Sequence, residues 1–207
     1  MKPKIKICGI QNLEDAKFCE SLGVDAIGLV FFNDSPRNIT IATATEIADN
    51  LPPFITVVAL FVNPKTSLVN AVLANVKVDC LQFHGEESDD FCQQFKRKWY
   101  KAIAMKQGLN LKQELKKYPN AQAILLDSYC PKSKGGTGKS FNWHDIPLDL
   151  AKPVILAGGL NADNIQQAIA TVAPWAVDVS SGVEVSKGVK SKNKIKNLVE
   201  LIRASSS

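Results

Sequence analysis

The chain has 207 residues, 45% of them hydrophobic and 22% charged, with a formal net charge of +5; that suits one domain with a sizeable core, and the mild, scattered positive excess favours small anionic molecules and not nucleic acid. Its longest apolar run, around Ile55 to Val62, is far too short to span a bilayer, and the basic stretch Met1 to Ile10 is too short in its apolar part for a signal peptide. Five cysteines, Cys8, Cys19, Cys80, Cys92 and Cys130, contain no Cys-x-x-Cys pair, which argues against a disulfide framework or a metal site and for a reducing cytoplasm.

Short apolar strands alternate with amphipathic helices along the chain. Lys4 to Ile7 is a first strand, and Leu13 to Leu22 its helix, capped by Asn12 and stopped by Gly23. Ala26 to Phe31 is a second strand; Ile41, Ala44, Ala48 and Leu51 mark one face of a helix that Pro52-Pro53 ends. Ile55 to Phe61 and Thr66 to Val76 form the third pair, Cys80 to Phe83 and about Ser88 to Lys98 the fourth. Tyr100 to Ala104 and Leu109 to Lys117 read as the fifth pair, and Ala123 to Asp127 as the sixth strand. A polar, glycine-rich loop from Ser128 to Asn142 precedes a short helix near Trp143 to Ile146. The seventh strand ends at Ala157, with Asn161 capping a helix that carries Ile165, Ala168 and Ile169; the eighth ends at Val179, and Ile195, Leu198, Val199 and Ile202 stripe a final helix. The basic stretch Lys187 to Lys196 reads as a solvated helix face.

Eight strand–helix units in a chain of this size imply an α/β fold, a single-domain (βα)₈ barrel. The competing doubly wound sheet calls for a nucleotide fingerprint after the first strand, which this chain lacks. Two late turns bear on function. Gly158-Gly159 follows the seventh strand and Ser180-Ser181-Gly182 the eighth. Side by side, such turns aim backbone N–H groups at one point, a phosphate site in the place where barrels commonly carry one.

Catalytic groups of a barrel sit at the C-terminal ends of its strands. Cys8-Gly9 ends the first, Ser35-Pro36-Arg37 follows the second, Gln82-Phe83-His84-Gly85 ends the fourth, Asp127 the sixth, and Asp178 lies near the end of the eighth. A lone buried cysteine is commonly a small core filler; the strand-end position is what gives Cys8 a functional reading. Arg37 follows a proline-fixed turn that aims it inward, where a guanidinium can grip a carboxylate with two hydrogen bonds. Asp127 ends an apolar run, where a carboxylate is costly unless paired or used. His84 reads as a binding or structural group, and Lys6 shares the alternation of Cys8 and can point inward as support. Ser133 to Ser140 imitates a phosphate-binding loop, but Ser133 stands where that motif needs glycine. Gly135-Gly136-Thr137-Gly138 is better read as a lid over the barrel mouth.

The ordered set Lys6-Ile7-Cys8-Gly9, Ser35-Pro36-Arg37, Gln82-Phe83-His84-Gly85, Leu125-Leu126-Asp127, Gly135-Gly136-Thr137-Gly138, Leu156-Ala157-Gly158-Gly159-Leu160 and Asp178 to Glu184 resembles the phosphoribosylanthranilate isomerases of tryptophan biosynthesis over essentially the whole chain. The resemblance implies a cofactor-free Amadori rearrangement, in which N-(5-phosphoribosyl)anthranilate becomes 1-(2-carboxyphenylamino)-1-deoxyribulose 5-phosphate. By the same resemblance Cys8 is the general base, its thiol pKa lowered for the task, and Asp127 the general acid. Arg37 holds the anthranilate carboxylate, and the turns at Gly158, Gly159, Ser180, Ser181 and Gly182 hold the phosphate; His84 and Asp178 are read as substrate-binding from their strand-end positions. Phe83 before His84 departs from the family's frequent leucine, and Asn142 from its common aspartate. The expected partner is a small phosphosugar, with no metal, nucleic acid or membrane, acting on a monomer. Two alternatives are a related phosphate-binding barrel such as indoleglycerol-phosphate synthase, which calls for a lysine-rich site, and a barrel that binds a phosphosugar without turnover.

Overall fold

The computed structural model describes residues 2–128, 141–147 and 149–205. Eight parallel strands close into a barrel in chain order: β1 (Lys4–Cys8), β2 (Ala26–Phe31), β3 (Thr56–Phe61), β4 (Cys80–Phe83), β5 (Lys98–Met105), β6 (Ile124–Ser128), β7 (Val154–Leu156) and β8 (Ala176–Val179). Pairing of β8 with β1, from Lys4↔Ala176 to Ile7↔Val179, completes the ring. Between the strands run α1 (Leu13–Ser21), α2 (Ile41–Asp49), α3 (Thr66–Asn75), α4 (Asp89–Gln93), α5 (Leu111–Leu115) and α6 (Ile165–Val172), with α7 (Lys192–Ala204) after β8. A 3₁₀ turn at Trp143–Asp145 stands between β6 and β7.

The two-residue period of the strands sorts the core into layers. Ile5, Ile7, Ile27, Leu29, Val57 and Phe61 pack outward against helix residues such as Ala44, Ile47, Val69, Val72, Ile195 and Leu198. Val58, Tyr100, Ala102, Leu125 and Ile155 fill the bore, and Cys8, Val30, Leu60 and Val62 form a smaller group at its upper end. The bore also contains a polar cluster. Lys6 Nζ donates to Asp178 Oδ2 at 2.8 Å and to Gln82 Oε1 at 3.0 Å, and Tyr100 Oη donates to the same Gln82 oxygen at 2.9 Å. These partners satisfy groups whose burial would otherwise be costly.

Several element boundaries differ from the sequence reading, most of them by a residue or two. The fourth helix, expected to reach Lys98, stops at Gln93. Lys96 takes φ 51°, which breaks a helix, and β5 already starts at Lys98 so that Trp99 and Tyr100 bury on opposite faces of one strand. The fifth helix is reduced to Leu111–Leu115 because the Asn110 side chain accepts from Gln113 N and begins it late. Asn161 does not cap α6, which begins at Ile165 with Asn164 as its N-cap. Instead Asn161 Oδ1 accepts from Asp163 N at 2.8 Å, forming a turn one step earlier. After β8 a 3₁₀ turn at Ser181–Val183 leads into a hairpin absent from the sequence reading, β9 (Glu184–Ser186) antiparallel to β10 (Val189–Lys190). Among the described residues no helix is long and apolar enough to cross a membrane.

Candidate active site

One cavity opens at the C-terminal ends of the barrel strands. Cys8, Arg37, His84, Asp127 and Asp178 all line it, as do Gly158 and Gly159 after β7 and Ser180 and Ser181 after β8. Strand-end placement brings together groups that lie as far apart as Cys8 and Ser181 in the chain. The lid assigned to Gly135, Gly136, Thr137 and Gly138 lies outside the described residues.

Asp127 ends β6, 7% exposed. Its Oδ1 accepts from the backbone N–H of Ser128 at 2.7 Å, and its Oδ2 lies 3.1 Å from His84 Nε2. The hydrogen-bond network fixes which way that contact runs. Gln82 Oε1 is engaged by Lys6 and Tyr100, so Gln82 Nε2 faces His84 Nδ1, 3.0 Å away, and donates to it. His84 therefore accepts at Nδ1 and donates from Nε2 to Asp127. The chain of contacts from Lys6 through Gln82 and His84 orients the carboxyl group.

Cys8 stands at the end of β1, buried opposite Gly28 in β2. A Cβ at Gly28 would lie 2.7 Å from Cys8 Sγ and 3.1 Å from Lys6 Nζ. The bare glycine therefore makes room for the thiol and the ammonium together, the close approach that a glycine inside a strand commonly marks. Burial pushes the Cys8 thiol above its ordinary value; Lys6 and Lys190 pull it down, and Asp178 pushes it up. The lowering expected from the sequence is thus corrected: Lys6 acts in that direction, but desolvation outweighs it. Burial pulls the Lys6 ammonium down, and its acidic neighbours, the Asp178 carboxylate foremost, outweigh that and hold it well above the usual range. Asp178 keeps one oxygen, Oδ1, buried and without a hydrogen-bond partner among the described residues.

Arg37 and the turns after β7 and β8 line the same cavity. The Arg37 stem lies against Gly9, where a Cβ would come within 2.5 Å of Arg37 Cδ. Its guanidinium is already gripped by Glu184, Nε to Oε1 at 2.7 Å and Nη2 to Oε2 at 2.8 Å. Opposite, Gly158 takes φ 83°, and a Cβ there would lie 2.4 Å from Ser128 N and 2.9 Å from Asp127 Oδ1. Only glycine lets this turn close against the carboxyl group. Gly182 lies behind the cavity wall: a Cβ on it would meet the Leu160 carbonyl oxygen at 1.9 Å, so the turns after β7 and β8 are in direct contact. Ser180 Oγ donates to the Cys8 carbonyl at 3.0 Å, tying the second turn to the end of β1.

Sequence reasoning passed over Gln82, Tyr100, Gly28, Glu184 and Lys190 as working parts. A glycine inside the apolar run Ala26 to Phe31 was a usable signal for Gly28. Nothing local marks Tyr100, whose partner lies 18 residues earlier on the preceding strand. Among the described residues no group of three or more His, Cys, Asp or Glu could hold a metal ion.

A sequence profile of N-(5′-phosphoribosyl)anthranilate (PRA) isomerase matches residues 5–201. A relative from Stutzerimonas stutzeri, named N-(5′-phosphoribosyl)anthranilate isomerase, is 49% identical over 199 residues, 96% of each chain. One of the same name from Hahella chejuensis is 51% identical over 196 residues, covering 95% of this chain and 92% of its own. The crystal structure of phosphoribosyl anthranilate isomerase from Thermotoga maritima superposes with a TM-score of 0.90 at 37% identity, covering 98% of this chain and 99% of that one. A further solved structure of the isomerase, in complex with reduced 1-(o-carboxyphenylamino)-1-deoxyribulose 5-phosphate, gives a TM-score of 0.87 at 35% identity, covering 98% and 99% of the two chains. A closed barrel with this cavity at its mouth, matched along nearly its whole length, belongs to the phosphoribosylanthranilate isomerase family.

Proposed function

We infer that this chain isomerises N-(5′-phosphoribosyl)anthranilate to 1-(2-carboxyphenylamino)-1-deoxyribulose 5-phosphate, in tryptophan biosynthesis, with Asp127 as general acid and Cys8 as general base. The observation that carries the assignment of roles is that one cavity has an acid and a thiol between two anion anchors of different kind. Backbone N–H groups at Gly158, Gly159, Ser180 and Ser181 suit a phosphate, and the Arg37 fork suits a carboxylate. A substrate with a phosphate at one end and a benzoate at the other spans them and brings its sugar between Cys8 and Asp127.

Asp127 protonates the ring oxygen, the C1′–O bond breaks, and the nitrogen lone pair forms the C1′=N Schiff base. Cys8, as thiolate, takes the C2′ proton, and the electron pair moves to give the enolamine, which tautomerises to the 2′-ketone. The change is a proton relocation within one molecule. Lys6 is the cation that favours the thiolate, working against the desolvation that raises the Cys8 thiol. Asp178 Oδ1 offers a free acceptor to a sugar hydroxyl. His84 orients Asp127 from one side and Ser128 N–H from the other. A base that must remain a free thiol also suits the reducing cytoplasm.

The test is turnover: purified protein given N-(5′-phosphoribosyl)anthranilate, followed by loss of substrate fluorescence. Conversion supports the reading. A chain that binds the compound and leaves it unchanged overturns it in favour of a phosphosugar-binding barrel.

A further inference from the structure

The carboxylate of Glu184 has no part in the chemistry above, yet it is buried and fully engaged. Oε1 accepts from Arg37 Nε at 2.7 Å and from Lys190 Nζ at 2.8 Å; Oε2 accepts from Arg37 Nη2 at 2.8 Å and from the Gly188 backbone N–H at 3.2 Å. Its side chain is 5% exposed. A carboxylate so deep is costly unless donors surround it; the β9–β10 hairpin supplies two of the four, Glu184 opening that hairpin and Lys190 closing it, and Arg37 supplies the other two. Burial pushes the Glu184 carboxyl up, and the hydrogen bonds from Arg37 and Lys190 outweigh it and hold it below its ordinary value.

What this does to Arg37 follows from the shape of a guanidinium. Five N–H bonds lie in one plane. Glu184 takes the side made by Nε and one hydrogen of Nη2, which leaves the end made by Nη1 and Nη2 to receive a second carboxylate. An arginine ordinarily gives up rotamer freedom when it is fixed. Here the stem rests on Gly9 and the side of the fork is held by Glu184, so the loss is met before substrate arrives. Lys190 extends the frame. Its Nζ donates to the Ser180 carbonyl at 3.1 Å, and Ser180 Oγ in turn donates to the Cys8 carbonyl.

We propose that Glu184 is a positioning residue for the substrate: it presets the Arg37 fork with one edge open to the cavity, and through Lys190 and Ser180 it holds that fork in register with the phosphate turn and the strand that carries Cys8. The proposal rests on Arg37 being the carboxylate anchor. It gives a reason for the hairpin after β8, which brings Glu184 and Lys190 onto the anchor.

The experiment is a double-mutant cycle on steady-state turnover of N-(5′-phosphoribosyl)anthranilate by wild type, Glu184→Gln, Arg37→Ala and the double variant. Glu184→Gln should raise KM about tenfold, the scale of a modest misplacement of an anchoring group, with kcat changed far less. In the Arg37→Ala background the same substitution should change KM by less than about twofold, since residues acting through one another do not add. If Glu184→Gln does not fold, the cycle is run with Glu184→Asp, which keeps the charge and draws it back by one methylene. Additive effects on KM would mean a general structural role and overturn the proposal, as would an unchanged KM in either Glu184 variant beside a raised KM in Arg37→Ala. An Arg37→Ala enzyme with wild-type KM would overturn the anchor assignment itself, and this inference with it.

Discussion

Gly28→Ala tests the placement of the proposed base, Cys8, through a residue with no chemistry of its own. Gly28 pairs with Cys8 across β1 and β2, and its φ lies outside the left-handed region, so space alone decides the cost. The added Cβ would sit 2.7 Å from Cys8 Sγ, 3.1 Å from Cys8 Cα and 3.1 Å from Lys6 Nζ. Non-bonded heavy atoms settle near 3.5–4.0 Å, so the methyl overlaps the sulfur by roughly 1 Å. Backbone holds Cα, and Lys6 is tied to Asp178 and Gln82; the sulfur is the atom free to move. A displacement of about 1 Å at a reacting group can cost on the order of 10²-fold in rate. Overpacking of this kind also costs about 1–3 kcal/mol of stability, roughly 2–4 °C in Tm for each kcal/mol at this chain length. The expected result is a folded enzyme, slightly less heat-stable, with kcat/KM down about 10²-fold. Continuous substrate fluorescence gives the rate and a thermal melt gives the stability. A variant with the lowered melt and wild-type kcat/KM would show that the position of this sulfur does not matter, and Cys8 would lose its role as base.

Cys8→Ser should bind substrate normally and lose most of its turnover, because a hydroxyl is a far poorer base near neutral pH; a near-normal kcat would contradict the assignment. Asp127→Asn keeps the shape and removes the proton donor, so kcat should drop by at least ~10²-fold, the low end for lost acid–base catalysis. Turnover at the wild-type rate would move the acid elsewhere, Asp178 first. Lys6→Gln keeps an N–H donor toward Asp178 but removes the cation that draws the Cys8 thiol down. The thiol pKa then rises, the thiolate forms at higher pH, and the acid limb of kcat/KM should shift to higher pH. A limb left in place would mean that Lys6 does not tune the base.

The barrel could be read from the sequence because strand periodicity and helix caps are local. Cys8, Asp127 and Asp178 could be found because a strand's final inward residue is fixed by counting from its apolar run. The fourth and fifth helices extend too far when read from sequence for a local reason too: Phe95 after Phe91 and Tyr118 after Leu115 continue a helical spacing of apolar residues past the observed ends, so pattern alone could not stop them. Other features are set by tertiary contact. Glu184 is an ordinary acidic residue in the chain; its importance comes from Arg37, 147 positions earlier. The expected lowering of the Cys8 thiol followed from what the reaction asks, whereas the fold sets desolvation against Lys6. The hairpin after β8 is too short to register as a pattern.

The contact between Gly182 and the Leu160 carbonyl bears on how such a barrel can be re-engineered. A Cβ there would fall 1.9 Å from that oxygen, so the loop after β8 fits only one shape of the loop after β7. Segments transplanted from another barrel enzyme therefore have to travel as a matched pair. A donor loop installed after β7 alone, or an insertion that moves Leu160 by even a fraction of a bond length toward Gly182, would force the neighbouring loop away and carry Ser180 and the end of β1 with it. Diversity at this mouth is open mainly to loops outside both this pair and the Arg37–Glu184 frame, where new substrate shapes can be tried while those parts stay constant.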